Sequence, residues 1–221
     1  MAKTAIIIGA TGLTGNLLTN LLLKDDRYSK VRLISRSSLG VQDSKLEEHL
    51  VDMFALKEHS HLFLGDELFC CIGTTKSKTP DESLYRKIDF EIPITAAELC
   101  KAQGVKTFVV MSSLGANPKS SIFYSRLKGE MEAAITALEL HKTIIVRPSL
   151  ISGKREEHRS GEQFGKAMMR LINPLLIGPL RVYRSIAPET IAKAMIWLAN
   201  DSVDKQVFLS NELIELSKNV H

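Results

Sequence analysis

Apolar positions along the chain follow two patterns. Residues 5–8 are uniformly apolar, which is typical of a buried parallel strand, whereas Leu17, Leu18, Leu21 and Leu22 share one face of a helix. Extended along the chain, these patterns predict strands over 4–9, 31–35, 67–73, 107–112, 143–147 and 206–210. They predict helices over 12–24, 82–103, 125–141, 161–172 and 188–200. The alternation predicts an α/β protein with a doubly wound parallel sheet.

The length of the chain fits one domain. Its 221 residues, 44% of them hydrophobic, can bury a full core. Residues 149–188 are the least regular segment and are rich in Gly, Pro and Arg. We therefore expect a single domain over 1–221, with 149–188 forming a small annex beside the carboxyl ends of the strands, where ligands bind in such sheets.

Three glycines follow the first predicted strand at a spacing of three. Gly9 allows a sharp turn, and Gly12 lets backbone N–H groups approach a phosphate at the positive end of the next helix. Gly15 lets that helix pack closely on the sheet. The spacing is G-x-x-G-x-x-G rather than the G-x-G-x-x-G dinucleotide fingerprint. A glycine-rich turn without a ligand is the alternative, but the strand and helix on either side favour a dinucleotide-phosphate site.

Charge, cysteines and hydropathy exclude several classes of protein. The net charge is +4, but basic and acidic residues alternate, so no nucleic-acid surface is predicted. The three cysteines form neither a disulfide framework nor a metal motif, and no metal site is predicted at His49, His59 or His61. No signal segment or membrane span is visible. We expect a cytoplasmic protein.

The end of the second predicted strand bears on the choice of cofactor. A site for NAD places an acidic residue there to bind the ribose 2′-hydroxyl. This chain has Ser35, Arg36, Ser37 and Ser38 instead. A guanidinium beside hydroxyls suits a 2′-phosphate, so the sequence predicts NADP(H), although a solvated arginine at a strand end is the alternative.

The strand that ends near Cys70 and Cys71 is expected to pass the cofactor. Gly73 permits close approach of the backbone, and the Ile72 side chain can flank the adenosine. Nothing basic adjoins the two cysteines in sequence, so we interpret them as buried small hydrophobic residues rather than nucleophiles.

A tyrosine and a lysine at the start of the third predicted helix share one helix face. Tyr124 and Lys128 stand four residues apart, shortly after Ser112 and Ser113 close a strand. A tyrosine has a pKa near ~10, and a neighbouring ammonium lowers it because it favours the phenolate. The pattern predicts Tyr124 as general acid in carbonyl reduction, Lys128 as the group that tunes it, and Ser112 or Ser113 as donor to the carbonyl oxygen.

Five segments in order carry a family resemblance. They are GATGLTGNLL, VRLISR, FCCIGTT, SSLGANPKSSIFYSRLKGEME and RPSLISGKREEHRSGE. The chain resembles the short-chain dehydrogenase/reductase superfamily with its Rossmann-type fold, and within it the atypical branch that contains the HIV Tat-interacting protein family and NmrA-like proteins. The resemblance extends over most of the chain.

The resemblance implies cofactor contacts beyond the glycines. It implies phosphate binding around Thr11, Gly12, Leu13 and Thr14, 2′-phosphate contact by Arg36 and Ser37, and cofactor contact at Ile72, Gly73, Tyr124, Lys128, Ile151 and Arg159. Members of this branch bind NADPH and are assigned to the oxidoreductases by fold, often without a settled substrate.

The main hypothesis is an NADP(H)-dependent reductase whose partner is a small-molecule carbonyl substrate. The alternative is a regulatory or scaffold protein that binds NADPH, and a protein partner, without turnover. A third, weaker alternative is an isomerase or epimerase. An intact Tyr124 and Lys128 pair favours an enzyme, because a sensor needs no proton donor.

Overall fold

The computed structural model describes residues 2–152 and 176–219. Within them, seven parallel strands form one sheet in the order β3-β2-β1-β4-β5-β6-β7. The strands are β1 (Lys3–Ile8), β2 (Tyr28–Ser35), β3 (Leu46–Leu50), β4 (Glu67–Cys70), β5 (Thr107–Met111), β6 (Lys142–Arg147) and β7 (Val207–Leu209). The strand order reverses between β1 and β4, as in a Rossmann-type sheet. The predicted fold class is confirmed.

Helices cover both faces of the sheet. They are α1 (Leu13–Lys24), α2 (Glu82–Arg86), α3 (Ile92–Gln103), α4 (Phe123–Ala137), α5 (Pro188–Asn200) and α6 (Ser210–Leu216). A π-helical turn, Lys87–Glu91, joins α2 to α3, and short 3₁₀ helices span Leu56–Phe63, Gly178–Tyr183 and Ser217–Asn219. In the described part of the chain, no helix combines the length and the apolar composition that a bilayer crossing needs.

Two apolar layers hold the helices on the sheet. Alternate strand residues face opposite sides, so Ile7 packs with Leu18 of α1 and Ile191 of α5, whereas Ile6 packs with Ala96 of α3 and Met131 of α4. The strand residues 5–8 are fully buried, as their uniform hydrophobicity predicts. These layers fix the amino ends of α1 and α4 beside the carboxyl ends of β1, β4 and β5.

Several elements differ from the sequence-based prediction. β3 is absent from that prediction because Leu46–Leu50 is a half-exposed edge strand with three consecutive polar residues. The helix predicted over 82–103 is interrupted by its π-helical turn. The strand predicted over 206–210 ends at Leu209, because Ser210 begins α6. The helix predicted over 161–172 lies outside the described residues, as does most of the predicted annex over 149–188.

Candidate cofactor and active site

The glycine loop between β1 and α1 is packed too tightly for side chains at two of its positions. Gly9 has a φ of +84°, and a Cβ there would lie 2.7 Å from the carbonyl carbon of Cys71. A Cβ on Gly15 would lie 2.2 Å from the Gly9 carbonyl oxygen. Gly12 is the N-cap of α1 and provides no side-chain cap. The first N–H groups of a helix have no partner within the helix, so they remain available to an anion.

A cavity of about 170 Å³ lies in front of this loop. It is lined by residues that follow the carboxyl ends of β1, β4 and β5 and by residues from the first turns of α4. Its lining consists of Gly12, Leu13, Thr14, Cys71, Ile72, Gly73, Thr74, Thr75, Asp89, Met111, Ser112, Tyr124, Lys128 and Ile151. We call it the cofactor cavity. Most cofactor residues that the sequence predicts therefore border one space, whereas Arg159 lies outside the described residues.

Tyr124 and Lys128 occupy successive turns of α4. The Tyr124 side chain is partly exposed and borders both the cofactor cavity and a larger neighbouring cavity. Lys128 is buried, and its Nζ lies 2.9 Å from Asp89 Oδ1, with side-chain exposures of 3% and 1%. Burial opposes the charge on Lys128, whereas Asp89 and Tyr124 favour it, and the pKa of Lys128 is raised on balance. Lys128 is therefore a protonated ammonium at neutral pH.

Asp89 is a residue that sequence reasoning missed. It lies in the π-helical turn, is fully buried, and accepts a hydrogen bond of 2.8 Å from the Thr74 backbone N–H through its second oxygen. An aspartate within a predicted helix is typical of a solvated face. The only signal was its position between apolar Ile88 and Phe90, on what would be a buried stretch of that helix.

Ser112 and Ser113 directly follow β5. Both are buried, at 4% and 8% exposure, and neither hydroxyl has a hydrogen-bond partner among the described residues. Buried polar groups in proteins are nearly always paired, so two unpaired hydroxyls at a cavity wall are suited to a ligand. Ser112 borders both cavities and Ser113 only the larger one.

The larger cavity, of about 540 Å³, lies on the far side of Tyr124. We call it the substrate-side cavity. Its described walls are apolar apart from five hydroxyl-bearing residues. The lining consists of Leu13, Ser112, Ser113, Leu114, Tyr124, Pro148, Ser149, Leu150, Ile151 and Tyr183. The Ser149 hydroxyl is engaged, because it donates to the Arg184 carbonyl and accepts from Ser210.

The loop after β2 carries the predicted 2′-phosphate residues. Arg36 and Ser37 are exposed. Ser38 donates a hydrogen bond to Glu48 of β3, and the backbone N–H of Leu39 donates to the other Glu48 oxygen, at 2.5 and 2.7 Å. Both carboxylate oxygens of Glu48 are thus engaged by the loop.

Fold and site together define a dinucleotide-binding protein of the Rossmann class. Residues 9–170 match the model of an NAD(P)H-binding family. The chain belongs to this family, in the atypical branch of the short-chain dehydrogenase/reductase superfamily.

Two curated relatives illustrate this membership. Protein HTATIP2 from Rattus norvegicus is 36% identical over 164 residues, which span 72% of this chain and 67% of the relative. Protein FMP52-1, mitochondrial, from Scheffersomyces stipitis is 31% identical over 183 residues, which span 80% and 76% of the two chains.

Solved structures share the fold at low sequence identity. MoeE5 in complex with UDP-glucuronic acid and NAD has a TM-score of 0.71 at 16% identity, covering 97% of this chain and 81% of MoeE5. A short-chain dehydrogenase/reductase superfamily protein from Agrobacterium tumefaciens with bound NAD has a TM-score of 0.69 at 13% identity, covering 93% and 76%.

The prediction of a cytoplasmic protein is wrong on these comparisons. Relatives from Scheffersomyces stipitis, Debaryomyces hansenii and Candida glabrata, at 31%, 34% and 36% identity, are named mitochondrial. The prediction was drawn from the absence of a visible secretory signal segment and of a membrane span. These absences do not define a compartment, because other cellular addresses are short segments of different pattern that are independent of the fold.

Proposed function

We propose that the protein is an NADPH-dependent reductase of a small or medium carbonyl compound. The observation that carries the proposal is the position of Tyr124, whose phenol borders both the cofactor cavity and the substrate-side cavity. A proton donor between a redox cofactor and its substrate needs this placement. Lys128, buried one helical turn away, supplies a fixed positive charge.

Each residue has a distinct task in this proposal. When bound, NADPH supplies the hydride that adds to the carbonyl carbon. Tyr124 donates its phenolic proton to the carbonyl oxygen, which yields the alcohol, and the Lys128 ammonium stabilises the phenolate that remains. The Ser112 or Ser113 hydroxyl donates a hydrogen bond to the same oxygen, where negative charge develops in the transition state.

The preference for NADPH over NADH rests on the loop after β2. Arg36 is exposed there and Ser37 follows it, while no acidic residue occupies the 35–38 segment. Glu48 has both carboxylate oxygens engaged by Ser38 and Leu39. These groups favour a 2′-phosphate, which an arginine binds through a planar, charge-assisted fork.

The substrate-side cavity favours an uncharged substrate body. The walls formed by the described residues are mainly Leu, Ile, Pro and Tyr and carry no charged side chain. Burying an unpaired charge against such walls is costly. With Ser149 engaged, the Tyr124, Tyr183, Ser112 and Ser113 hydroxyls are there to receive a carbonyl oxygen, and of these Tyr124 and Ser112 also border the cofactor cavity.

The alternative proposal is an NADPH-binding regulatory or scaffold protein without turnover. It is favoured by exposed apolar side chains around Tyr124: Leu150 and Tyr183 line the substrate-side cavity and Ile122 lines a third cavity that Tyr124 also borders, at 54%, 55% and 65% exposure. Exposed apolar side chains that cluster are typical of surfaces that bind other proteins.

Calorimetric titration with NADPH and NADH, followed by a carbonyl panel, tests these proposals. We expect tighter binding of NADPH and loss of the reduced-nicotinamide absorbance with uncharged aldehydes or ketones, but not with their carboxylate analogues. Tight binding without oxidation across the panel would favour the scaffold. Absence of binding to either coenzyme would contradict both proposals.

A further inference from the structure

Asp89, in the π-helical turn, joins two other parts of the cofactor cavity. Its two carboxylate oxygens meet the Lys128 ammonium at 2.9 Å and the Thr74 backbone N–H at 2.8 Å. Gly73 lies against it, since a Cβ at that position would be 3.5 Å from Asp89 Oδ1. One buried carboxylate therefore contacts α4 and the loop after β4 at the same time.

The helix interruption places Asp89 in this position. The segment Lys87–Glu91 has π-helical hydrogen bonding between two α-helical segments. Such turns are rare in proteins, and those that occur are often found at functional sites. The loop that Asp89 reaches is held from a second side, because the Tyr85 hydroxyl donates to the Thr74 carbonyl at 3.0 Å.

Each charge of this buried pair depends on the other. Removal of one partner from a buried ion pair leaves an uncompensated charge and is strongly destabilising, whereas removal of both is far less so. A lysine buried without a counter-ion loses its proton readily, since burial lowers the pKa of an unpaired ammonium by up to several units. Asp89 is the carboxylate that opposes this effect at Lys128.

We propose that Asp89 is a positioning residue of this site, which keeps the Lys128 ammonium charged and directed along the cofactor cavity and fixes the loop at Thr74 beside it. Its role toward NADPH rests on the proposed function. Its role toward Lys128 does not, because it follows from the buried ion pair alone.

Few other groups near Lys128 can change charge in the neutral range. Among the described residues, Lys128 faces Asp89 from the π-helical turn, Tyr124 from its own helix and Cys70 from β4, together with the Met111 carbonyl of β5 at 3.5 Å. Burial raises the pKa of Cys70 to about 11. A new titration near neutral pH in a variant that lacks the Asp89 charge is therefore that of Lys128.

Asp89→Asn is the central variant, because the amide oxygen can still accept from Thr74 while the charge is gone. The first measurement is NADPH affinity from about pH 6 to about pH 9. Over this range, titration of the Asp89–Lys128 pair should change the wild-type NADPH affinity by less than about 2-fold. The NADPH affinity of the variant should fall by about 10-fold or more as Lys128 deprotonates. An equally flat profile in the variant would overturn the proposal.

Glu132→Gln is the matched control. Glu132 is also buried on α4 and pairs with Arg147. An arginine does not deprotonate in proteins. Glu132→Gln should lose stability without a new pH dependence of NADPH affinity. A new pH dependence of similar size in Glu132→Gln would contradict the specific role of Asp89, because loss of another buried carboxylate would then have the same effect.

Unfolding of the cofactor-free protein gives an independent readout. In Asp89→Asn the folded pKa of Lys128 falls below its unfolded value, so the folded state binds fewer protons between the two. The denaturation midpoint of the variant should therefore rise from about pH 6 to about pH 9 relative to wild type. A parallel pH profile would overturn the inference, even where NADPH binding has failed and the proposed function with it.

A double variant covers the case in which Asp89→Asn does not fold. Lys128→Met leaves the Asp89 carboxylate buried without a counter-ion, and adding Asp89→Asn removes that charge. The double variant should be at least as stable as Lys128→Met alone. A double variant that is clearly less stable than Lys128→Met alone would contradict the coupling.

Discussion

Lys128 Nζ lies 2.9 Å from Asp89 Oδ1, and both side chains are almost fully buried. The lysine that the sequence assigns to the tuning of Tyr124 is thus half of an ion pair. The positive charge of Lys128 acts on the Tyr124 phenol together with the negative charge of Asp89. The Asp89 carboxylate also accepts a hydrogen bond from the Thr74 backbone N–H. The proposed acid role of Tyr124 therefore depends on Asp89 as well as on Lys128.

Removal of the Tyr124 hydroxyl should stop the reaction without preventing cofactor binding. Tyr124→Phe retains the ring against Tyr85 but has no proton to donate. We expect turnover to fall by about 10²-fold or more, with NADPH affinity within a few-fold, measured by steady-state kinetics and calorimetry.

Tyr183→Phe is the control for this variant, since Tyr183 borders the substrate-side cavity but not the cofactor cavity. Its turnover should remain within a few-fold of wild type. Equal losses in the two variants would contradict the acid role of Tyr124.

Loss of the Arg36 guanidinium should weaken NADPH binding selectively. Hydrogen bonds to charged groups contribute about 1.5–3 kcal/mol, so Arg36→Ala should bind NADPH about 10-fold to 100-fold more weakly and NADH about as before. Arg27→Ala is the control, because Arg27 precedes the amino end of the same strand and pairs with Asp25. Equal NADPH affinity in the two variants would remove Arg36 from the 2′-phosphate site.

Loss of a serine hydroxyl at the cavity wall should lower activity without lowering stability. The Ser112 and Ser113 hydroxyls have no partner among the described residues, so Ser→Ala at either site removes an unsatisfied group, which is neutral or stabilising. Thermal unfolding measures this effect, and kcat/KM shows which serine serves the carbonyl oxygen.

Ser210→Ala provides the contrast. Its hydroxyl is buried, accepts from the Ser149 backbone N–H and donates to the Ser149 hydroxyl. Its loss should cost about 1–3 kcal/mol. A stability loss of the same size in Ser112→Ala and Ser113→Ala would mean that those hydroxyls are bonded in the folded protein.

A methyl group in the glycine loop should disturb the cofactor cavity. In Gly15→Ala the new Cβ would lie 2.2 Å from the Gly9 carbonyl oxygen, so the loop must move. We expect a loss of about 1–3 kcal/mol in unfolding free energy and weaker NADPH binding.

Gly104→Ala separates strain from site disruption. Gly104 caps α3 with a φ of +72° and has open space around its Cβ position. Its replacement should cost about 1–2 kcal/mol and leave NADPH affinity unchanged. Retention of full NADPH affinity by Gly15→Ala would contradict the phosphate-binding role of the loop.

The cysteines should be inert in the folded protein. All three are free and buried, and burial raises the pKa values of Cys70, Cys71 and Cys100. The thiolate is the reactive form. We expect an aromatic disulfide reagent to detect no thiol at about pH 8 before unfolding and all three in denaturant, whereas rapid reaction of the native protein would contradict their burial.

The local features could be predicted from the sequence. The strand, the spacing and the helix of the glycine loop follow from neighbouring residues, as does the shared face of Tyr124 and Lys128. The uniformly apolar strands also predicted the parallel sheet correctly, because a strand that is buried on both faces has apolar residues at nearly every position.

Features that depend on contacts between distant segments could not be predicted from the sequence. The edge strand β3 is stabilised by pairing with β2 rather than by its own hydrophobicity. The two serines acquire their significance from burial without a partner. Asp89 meets Lys128 only because α4 packs against the π-helical turn, and whether a charged side chain is solvated or paired in the interior is a property of the packed molecule. Periodicity records which face of an element is buried, but not which group lies opposite it.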